Sequence, residues 1–301
     1  MKSLSTDLTR AARGMARIAA TTPSGEHRAS LAYLALYACG YTGRGTLTRF
    51  EKLRVPRADA VFLHDLARQV NDQVTVSDWT VAGWTDDRVL LEKAGIRAFV
   101  DRRRVTQPRL AVGDPVSFGI SALTPGAAPG FVIRRPKGDL PGDALSRFYL
   151  NIGPSTSAWV LGPLARTLQR HADVSIKVLA HPEGYLRRDA AVIYVPSAEV
   201  GPLFRILEER IAGDRIALDA PVPLFARRLG PGIGFADEPS DLGDAGSSFG
   251  RWVSSLFLRA AEDSSDAEGI AGSVVASIEG CGRDPDHPYL RAGRTPADLG
   301  L

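Results

Sequence analysis

The segment VSIKVLAHPEGYLRRDAAVIYV, residues 174–195, decides the fold class. Its two ends, 174–179 and 190–195, are short runs rich in Val and Ile, a composition typical of β-strands. RFYLNI at 147–152 has the same character, and segments on both sides of these runs show the spacing of amphipathic helices. We therefore predict an α+β fold in which helices flank a mixed or antiparallel sheet.

The helical segments fall into two groups along the chain. Apolar residues recur at helical intervals at 4–20, 30–39, 57–71, 157–171, 198–211, 249–262 and 266–278. The first three predict a helical N-terminal lobe over residues 1–71, and short β-type segments from residue 72 onwards predict an α+β domain over 72–301. The Pro- and Gly-rich stretches 123–130 and 221–239 are predicted to be loops.

The composition limits the classes of function. Of the 301 residues, 44% are hydrophobic and 24% charged, enough for one large core. Lys and Arg (37) nearly balance Asp and Glu (34), so the net charge does not indicate bulk nucleic-acid binding. We find no apolar run of signal-peptide or membrane-span length and expect a cytoplasmic protein. Two cysteines and unclustered histidines predict neither a metal site nor a cofactor.

A polar stripe is predicted on the sheet. Strand alternation places Arg147, Tyr149 and Asn151 on one face of their strand. In the second strand, one face is apolar and Lys177 lies on the other. If the two strands share a sheet, a base, a phenol and guanidinium groups converge, since Arg187 lies in the next segment. Such a cluster suits an elimination in which a base removes a proton while phosphate leaves. A solvated rim lysine and a half-buried tyrosine remain the simpler alternatives.

Several segments together resemble the HopA-type effector family, whose actinobacterial members are lyase subunits of class V lanthipeptide synthetases and thioamitide pathways. The segments are GWTDDRVLLEKAGIRAFV, VGDPVSF, RFYLNI, IKVL, YLRRDAAVIYV, FARRLGPGIGFADEP, SFG and DPDHPYL, in that order over residues 75–292. The resemblance implies a phosphoserine or phosphothreonine lyase that leaves dehydroalanine or dehydrobutyrine in a precursor peptide. It also implies that a separate kinase-like subunit phosphorylates that peptide.

The resemblance also implies roles for particular residues. Lys177 stands where the distantly similar effector phosphothreonine lyases have their general base, and Arg147 where they have a basic residue. Tyr149 stands where those lyases have the histidine that acts as general acid. Either Tyr149 donates the proton to the leaving phosphate, or Tyr149 only binds the phosphate while His181 or solvent donates the proton. The predicted phosphate-binding residues are Arg147, Asn151, Arg187 and Arg227, with Arg251 a weaker candidate.

Two other functions remain open at this point. One is a non-catalytic partner that binds the precursor peptide or activates the kinase, and the other is a secreted effector with a host target. The N-terminal lobe either docks the kinase through the apolar residues Leu31, Leu34, Leu36 and Tyr37, or simply caps the sheet.

Overall fold

The computed structural model describes residues 2–40, 58–128, 130–136, 145–239 and 248–300. Their helices are α1 Lys2–Thr21, α2 Glu26–Ala32 with a π-helical continuation Tyr33–Ala38, α3 Ala60–Val70, α4 in three consecutive pieces (Ser157–Trp159, Val160–Leu164, Ala165–Leu168), α5 Val200–Gly213, α6 Phe249–Asp263 and α7 Ala267–Gly280. Each of the predicted helices is confirmed over the described residues, with ends that differ by a few positions.

Eleven strands form two sheets in the described part of the chain. They are β1 Gln73–Trp84, β2 Arg88–Lys93, β3 Ile96–Asp101, β4 Pro115–Ser121, β5 Leu123–Ala128, β6 Phe131–Arg134, β7 Leu145–Leu150, β8 Ser175–Leu179, β9 Ala191–Pro196, β10 Arg227–Gly230 and β11 Ile233–Asp237. The smaller sheet has the order β3-β2-β1-β4 and the larger β10-β11-β7-β9-β8-β6-β5. The pairing is antiparallel in both, which confirms the α+β class.

Strand β9 lies in the middle of the larger sheet, between β7 and β8. Phe148, Ile176 and Ile193 are fully buried on one face, where Phe148 packs 6.1 Å from the ring of Phe204 on α5. Because side chains alternate along a strand, the predicted polar stripe lies on the other face. There the N-terminal helices and α6 cover part of the sheet, and Tyr37 of α2's continuation contacts both Tyr149 and Phe249.

Two segments predicted to be loops contain strands. Residues 123–128 form β5, which pairs with β6 at the edge of the larger sheet. Pro125 is accommodated there because an edge strand leaves one side of its backbone outside the hydrogen-bond ladder. The prediction of a loop over 123–130 is therefore wrong for β5.

The second of these segments, 221–239, contains the hairpin of β10 and β11. Gly232 adopts φ +69° in its turn, and a Cβ there would lie 2.6 Å from the carbonyl oxygen of Asp219. Glycine is thus required by a close backbone approach, not by an extended loop. β11 is buried throughout and pairs with β7 on its other side.

The N-terminal helices share one core with the larger sheet. Leu31, Leu34, Leu36 and Tyr37 are 5% exposed or less, and burial of each leucine contributes about 1.5–3 kcal/mol of transfer free energy. Of the two alternatives for these four side chains, their burial favours capping of the sheet over docking of a kinase.

The smaller sheet has its own apolar cluster, which includes Val81, Leu91 and Phe118. At its junction with the larger sheet, the Asp72 carboxylate pairs with Arg134 of β6 at 2.6 Å and with Arg166 of α4 at 2.9 Å. The division into an N-terminal lobe (1–71) and a second domain (72–301) stays a prediction.

Candidate functional site

Lys177 lies on a continuous row of residues that crosses the larger sheet. In the antiparallel register Lys177 faces Val192 of β9, and Val192 faces Tyr149 of β7. Lys177 and Arg147 therefore lie in the same sheet, which the sequence prediction assumes, and on the same face of it, as strand alternation predicts. The strands β7 and β8 are not neighbours, however, because β9 separates them.

Two aromatic rings flank the Lys177 side chain. Its Nζ lies 4.5 Å from the ring centroid of Phe131 and 5.3 Å from that of Tyr194. Lys177 faces Ile133 on one neighbouring strand and Val192 on the other. Phe131 and Tyr194 lie two residues from these and are therefore diagonal neighbours of Lys177. Diagonal pairs across a sheet lie within reach of aromatic and long side chains.

The same two rings bring two arginines to the lysine. The Arg147 guanidinium carbon lies 4.8 Å from the Tyr194 centroid, and that of Arg187 lies 5.3 Å from the Phe131 centroid. We call Lys177, Arg147, Arg187, Phe131 and Tyr194 the cationic cluster. Because guanidinium and ammonium groups bind anions, this cluster is a candidate anion-binding site.

Each arginine of the cluster also has a carboxylate partner. Arg147, whose side chain is 7% exposed, forms an ion pair with Glu238 just after β11. Arg187 holds Asp189 through two bonds, from Nε at 2.8 Å and from Nη2 at 2.7 Å. Burial alone raises the pKa of Asp189, but Arg187 and the Tyr33 hydroxyl outweigh it and lower the pKa overall, with Lys177 acting in the same direction. Asp189 is therefore charged at neutral pH.

Tyr149 is buried beneath Tyr37 at 1% exposure. Among the described residues neither hydroxyl has a hydrogen bond of normal geometry, although each is close enough to shift the pKa of the other. Burial raises the pKa of Tyr149, with Arg147 acting in the opposite direction, so the phenol keeps its proton. Two strand spacings, roughly 10 Å, separate the backbones of Tyr149 and Lys177.

The remaining predicted phosphate ligands lie elsewhere. The Asn151 amide donates to the carbonyl of Pro221 at 2.9 Å and fixes the chain that precedes β10. Arg227 faces Phe235, on the side of the sheet opposite Lys177, and lies 6.0 Å from the ring centroid of Tyr289. The structure does not bring Asn151 or Arg227 into the cationic cluster.

The other candidates have local structural roles. The His181 ring accepts a hydrogen bond from the backbone amide of Glu183 and caps the 3₁₀ turn Pro182–Leu186. Arg251 is exposed in the first turn of α6. Sequence reasoning missed Phe131, Tyr194 and Asp189. Phe131 and Tyr194 depend on the pairing of β6 and β9 with β8, which the sequence does not show, whereas the spacing of Asp189 two residues after Arg187 is a signal that could have found it.

A separate cleft of about 450 Å³ lies at the N-terminal end of α5 and contains none of these residues. Its lining includes Arg205, Arg291 and Arg294, of which Arg294 is bound to Asp237 at 2.6 Å. Among the described residues, no group of three or more His, Cys, Asp or Glu side chains is arranged to hold a metal ion. No helix in the same ranges is long and apolar enough to cross a bilayer.

The fold and the cationic cluster define an α+β protein with a candidate anion-binding site on an antiparallel sheet. The model of the HopA1 effector protein family matches residues 121–290, and the chain belongs to that family.

Two solved structures are similar, both effector proteins from Pseudomonas syringae. That of pathovar syringae strain 61 is 20% identical, with a TM-score of 0.45 over 79% of this chain and 86% of that one. That of pathovar tomato strain DC3000 is 17% identical, with a TM-score of 0.45 over 94% of this chain and 99% of that one. No curated protein matches the chain.

Proposed function

We propose that the protein is a lyase that eliminates phosphate from phosphoserine or phosphothreonine in a peptide. The observation that carries the proposal is the position of Lys177 between two arginines, each of which shares an aromatic ring with it. A base beside two fixed cations is what this elimination needs, because the reaction removes a proton and expels an anion from adjacent carbons.

In this mechanism the Lys177 ammonium first gives its proton to solvent, and the resulting amine removes the α-proton of the phosphorylated residue. The electron pair left on the α-carbon forms a double bond to the β-carbon as the bond from the β-carbon to the phosphate oxygen breaks. Arg147 and Arg187 hold the phosphate, whose negative charge grows as it leaves. The products are a dehydroalanine or dehydrobutyrine residue and inorganic phosphate.

We assign the proton donor to Tyr194 in preference to Tyr149. Tyr194 is half-buried and contacts both Lys177 and Arg147, whereas Tyr149 lies beneath Tyr37 at 1% exposure. A proton donor must reach the leaving oxygen. The Tyr194 phenol protonates the departing phosphate and then recovers a proton from solvent or from the lysine.

The biological setting we propose is lanthipeptide-like biosynthesis. The substrate is then a precursor peptide that a separate kinase-like subunit has phosphorylated, and the protein acts in the cytoplasm. The family description names effector proteins and so favours a second candidate, a secreted effector with a host target.

A trapping experiment tests the proposed reaction. A peptide with one phosphothreonine is incubated with the protein and then with a small thiol, which adds to a dehydroamino acid but not to threonine. We expect released phosphate and one thiol adduct per peptide. Phosphate release without an adduct would indicate a phosphatase, and binding without phosphate release would favour the non-catalytic partner.

A further inference from the structure

A closed set of hydrogen bonds joins the N-terminal helical segment to the cationic cluster. The Tyr33 hydroxyl donates to the Asp189 carboxylate at 2.9 Å, and Arg187 Nη2 donates to the Tyr33 oxygen at 3.1 Å. Arg187 also donates two bonds to Asp189, so each of the three side chains is bonded to the other two. The side chains of Arg187 and Asp189 are only 7% and 3% exposed, so little water competes with these bonds.

These bonds occupy one side of the Arg187 guanidinium. Nε and Nη2 are bound to Asp189 and Tyr33, whereas Nη1 makes no hydrogen bond to a described residue. The guanidinium lies over the Phe131 ring, over which the Lys177 ammonium also lies. An arginine held along one edge in this way has a fixed orientation and a remaining donor for an anion.

Tyr33 itself is held firmly. The backbone amide of Arg188 donates to the carbonyl of Ala38 at 2.6 Å, which ties the helical segment to the turn that carries Arg187. A Cβ at Gly250 of α6 would lie 2.8 Å from the Tyr33 ring, so the glycine permits close packing. Burial, followed by the neighbouring Asp189 carboxylate, raises the pKa of Tyr33, and the hydroxyl therefore keeps the proton that it donates.

We infer that Tyr33 is a positioning residue for phosphate recognition, acting on Arg187 both directly and through Asp189. The inference rests on the proposed function and extends it to a segment outside residues 121–290, the part matched by the family. Without the hydroxyl, Asp189 loses one donor and Arg187 loses a restraint on its orientation. Tyr33→Phe weakens binding of a phosphorylated peptide about tenfold, the lower end of the effect of one hydrogen bond to a charged group, because the lost bonds orient Arg187 and do not reach the phosphate.

Calorimetric titration with a peptide that carries one phosphothreonine, and with its unphosphorylated twin, tests the inference. Every protein carries Lys177→Ala, which keeps the peptide intact. The matched control is Tyr185→Phe, which also removes a buried phenol hydroxyl, one bonded to Leu179 and Ser157 and not to Asp189. We expect the tenfold loss for Tyr33→Phe with the phosphorylated peptide alone.

Unchanged affinity in Tyr33→Phe, or an equal loss in Tyr185→Phe, would overturn the inference. A double-mutant cycle with Arg187→Lys gives a second criterion. If Tyr33 acts through Arg187, the double variant loses no more than Arg187→Lys alone, and additive losses would contradict this. If the Lys177→Ala protein itself does not prefer the phosphorylated peptide, the proposed phosphate site fails, and the positioning role with it.

Discussion

Lys177 and Arg147 lie over the same aromatic ring, that of Tyr194, although their strands are separated by a third strand. Tyr194 faces Arg147 directly and Lys177 diagonally across the sheet. Two cations that repel each other are thus held close by rigid strands and a shared ring. Under the proposed function, this arrangement would hold two donors for the phosphate in place before the substrate binds.

The two arginines of the cluster are expected to recognise phosphate. Arg147→Ala and Arg187→Ala should each weaken binding of a phosphorylated peptide by about 1.5–3 kcal/mol and leave the unphosphorylated peptide unaffected. Arg227→Ala is the matched control, because Arg227 lies against Tyr289 on the other side of the sheet. Fluorescence anisotropy with both peptides measures the effect. Equal weakening for both peptides would point to general charge attraction instead.

Substitution of Tyr194 and of Tyr149 by phenylalanine distinguishes the two candidate proton donors. Tyr194→Phe keeps the ring over Lys177 and Arg147 but removes the phenol proton, so we expect kcat to fall about 10²-fold with little change in KM. Tyr149→Phe removes a hydroxyl with no well-formed hydrogen bond and should leave kcat within about threefold of the wild type. Steady-state assay of phosphate release compares them, and the reverse order of effects would return the role to Tyr149.

The Arg187–Asp189 pair predicts a pH dependence of stability. The folded protein lowers the pKa of Asp189, so the pair stabilises the fold above the unfolded value of about 4 and loses this contribution as the pH falls through the folded value. Asp189→Asn should cost about 3–5 kcal/mol at pH 7, since it leaves a buried arginine unpaired. Urea unfolding from pH 7 to pH 3 measures the difference, which should shrink towards acid. A constant difference would rule out the charge of Asp189 as its source.

A kinase-like partner is expected to co-purify with the full-length protein, because the proposed substrate must be phosphorylated first. The buried positions of Leu31, Leu34 and Leu36 indicate that the contact does not use their side chains. Co-expression with the candidate kinase and size-exclusion chromatography test the association. If the protein eliminates phosphate from a prephosphorylated peptide but binds no kinase, the proposed complex is contradicted and the proposed lyase activity is not.

The sequence predicted the α+β class, the described helices and the shared face of Lys177 and Arg147, because local periodicity fixes all three. It could not predict that β9 lies between β7 and β8, since strand order depends on contacts distant in the chain. The roles of Tyr194 and Phe131 depend on that order. The Pro- and Gly-rich stretch 221–239 predicts a loop, because the glycine that a close backbone approach requires is also the residue that a flexible turn favours.

The most direct test is the mass of a phosphothreonine peptide after incubation with the wild type and with Lys177→Ala. Elimination removes phosphoric acid, so the wild type should give a peptide lighter by about 98 Da, whereas hydrolysis would give one lighter by about 80 Da. Lys177→Ala should leave the mass unchanged and still bind the peptide, because the substitution removes the base but neither arginine. A loss of about 98 Da at the wild-type rate in Lys177→Ala would contradict the assignment of the base. No such loss with the wild type would contradict the proposed lyase activity itself.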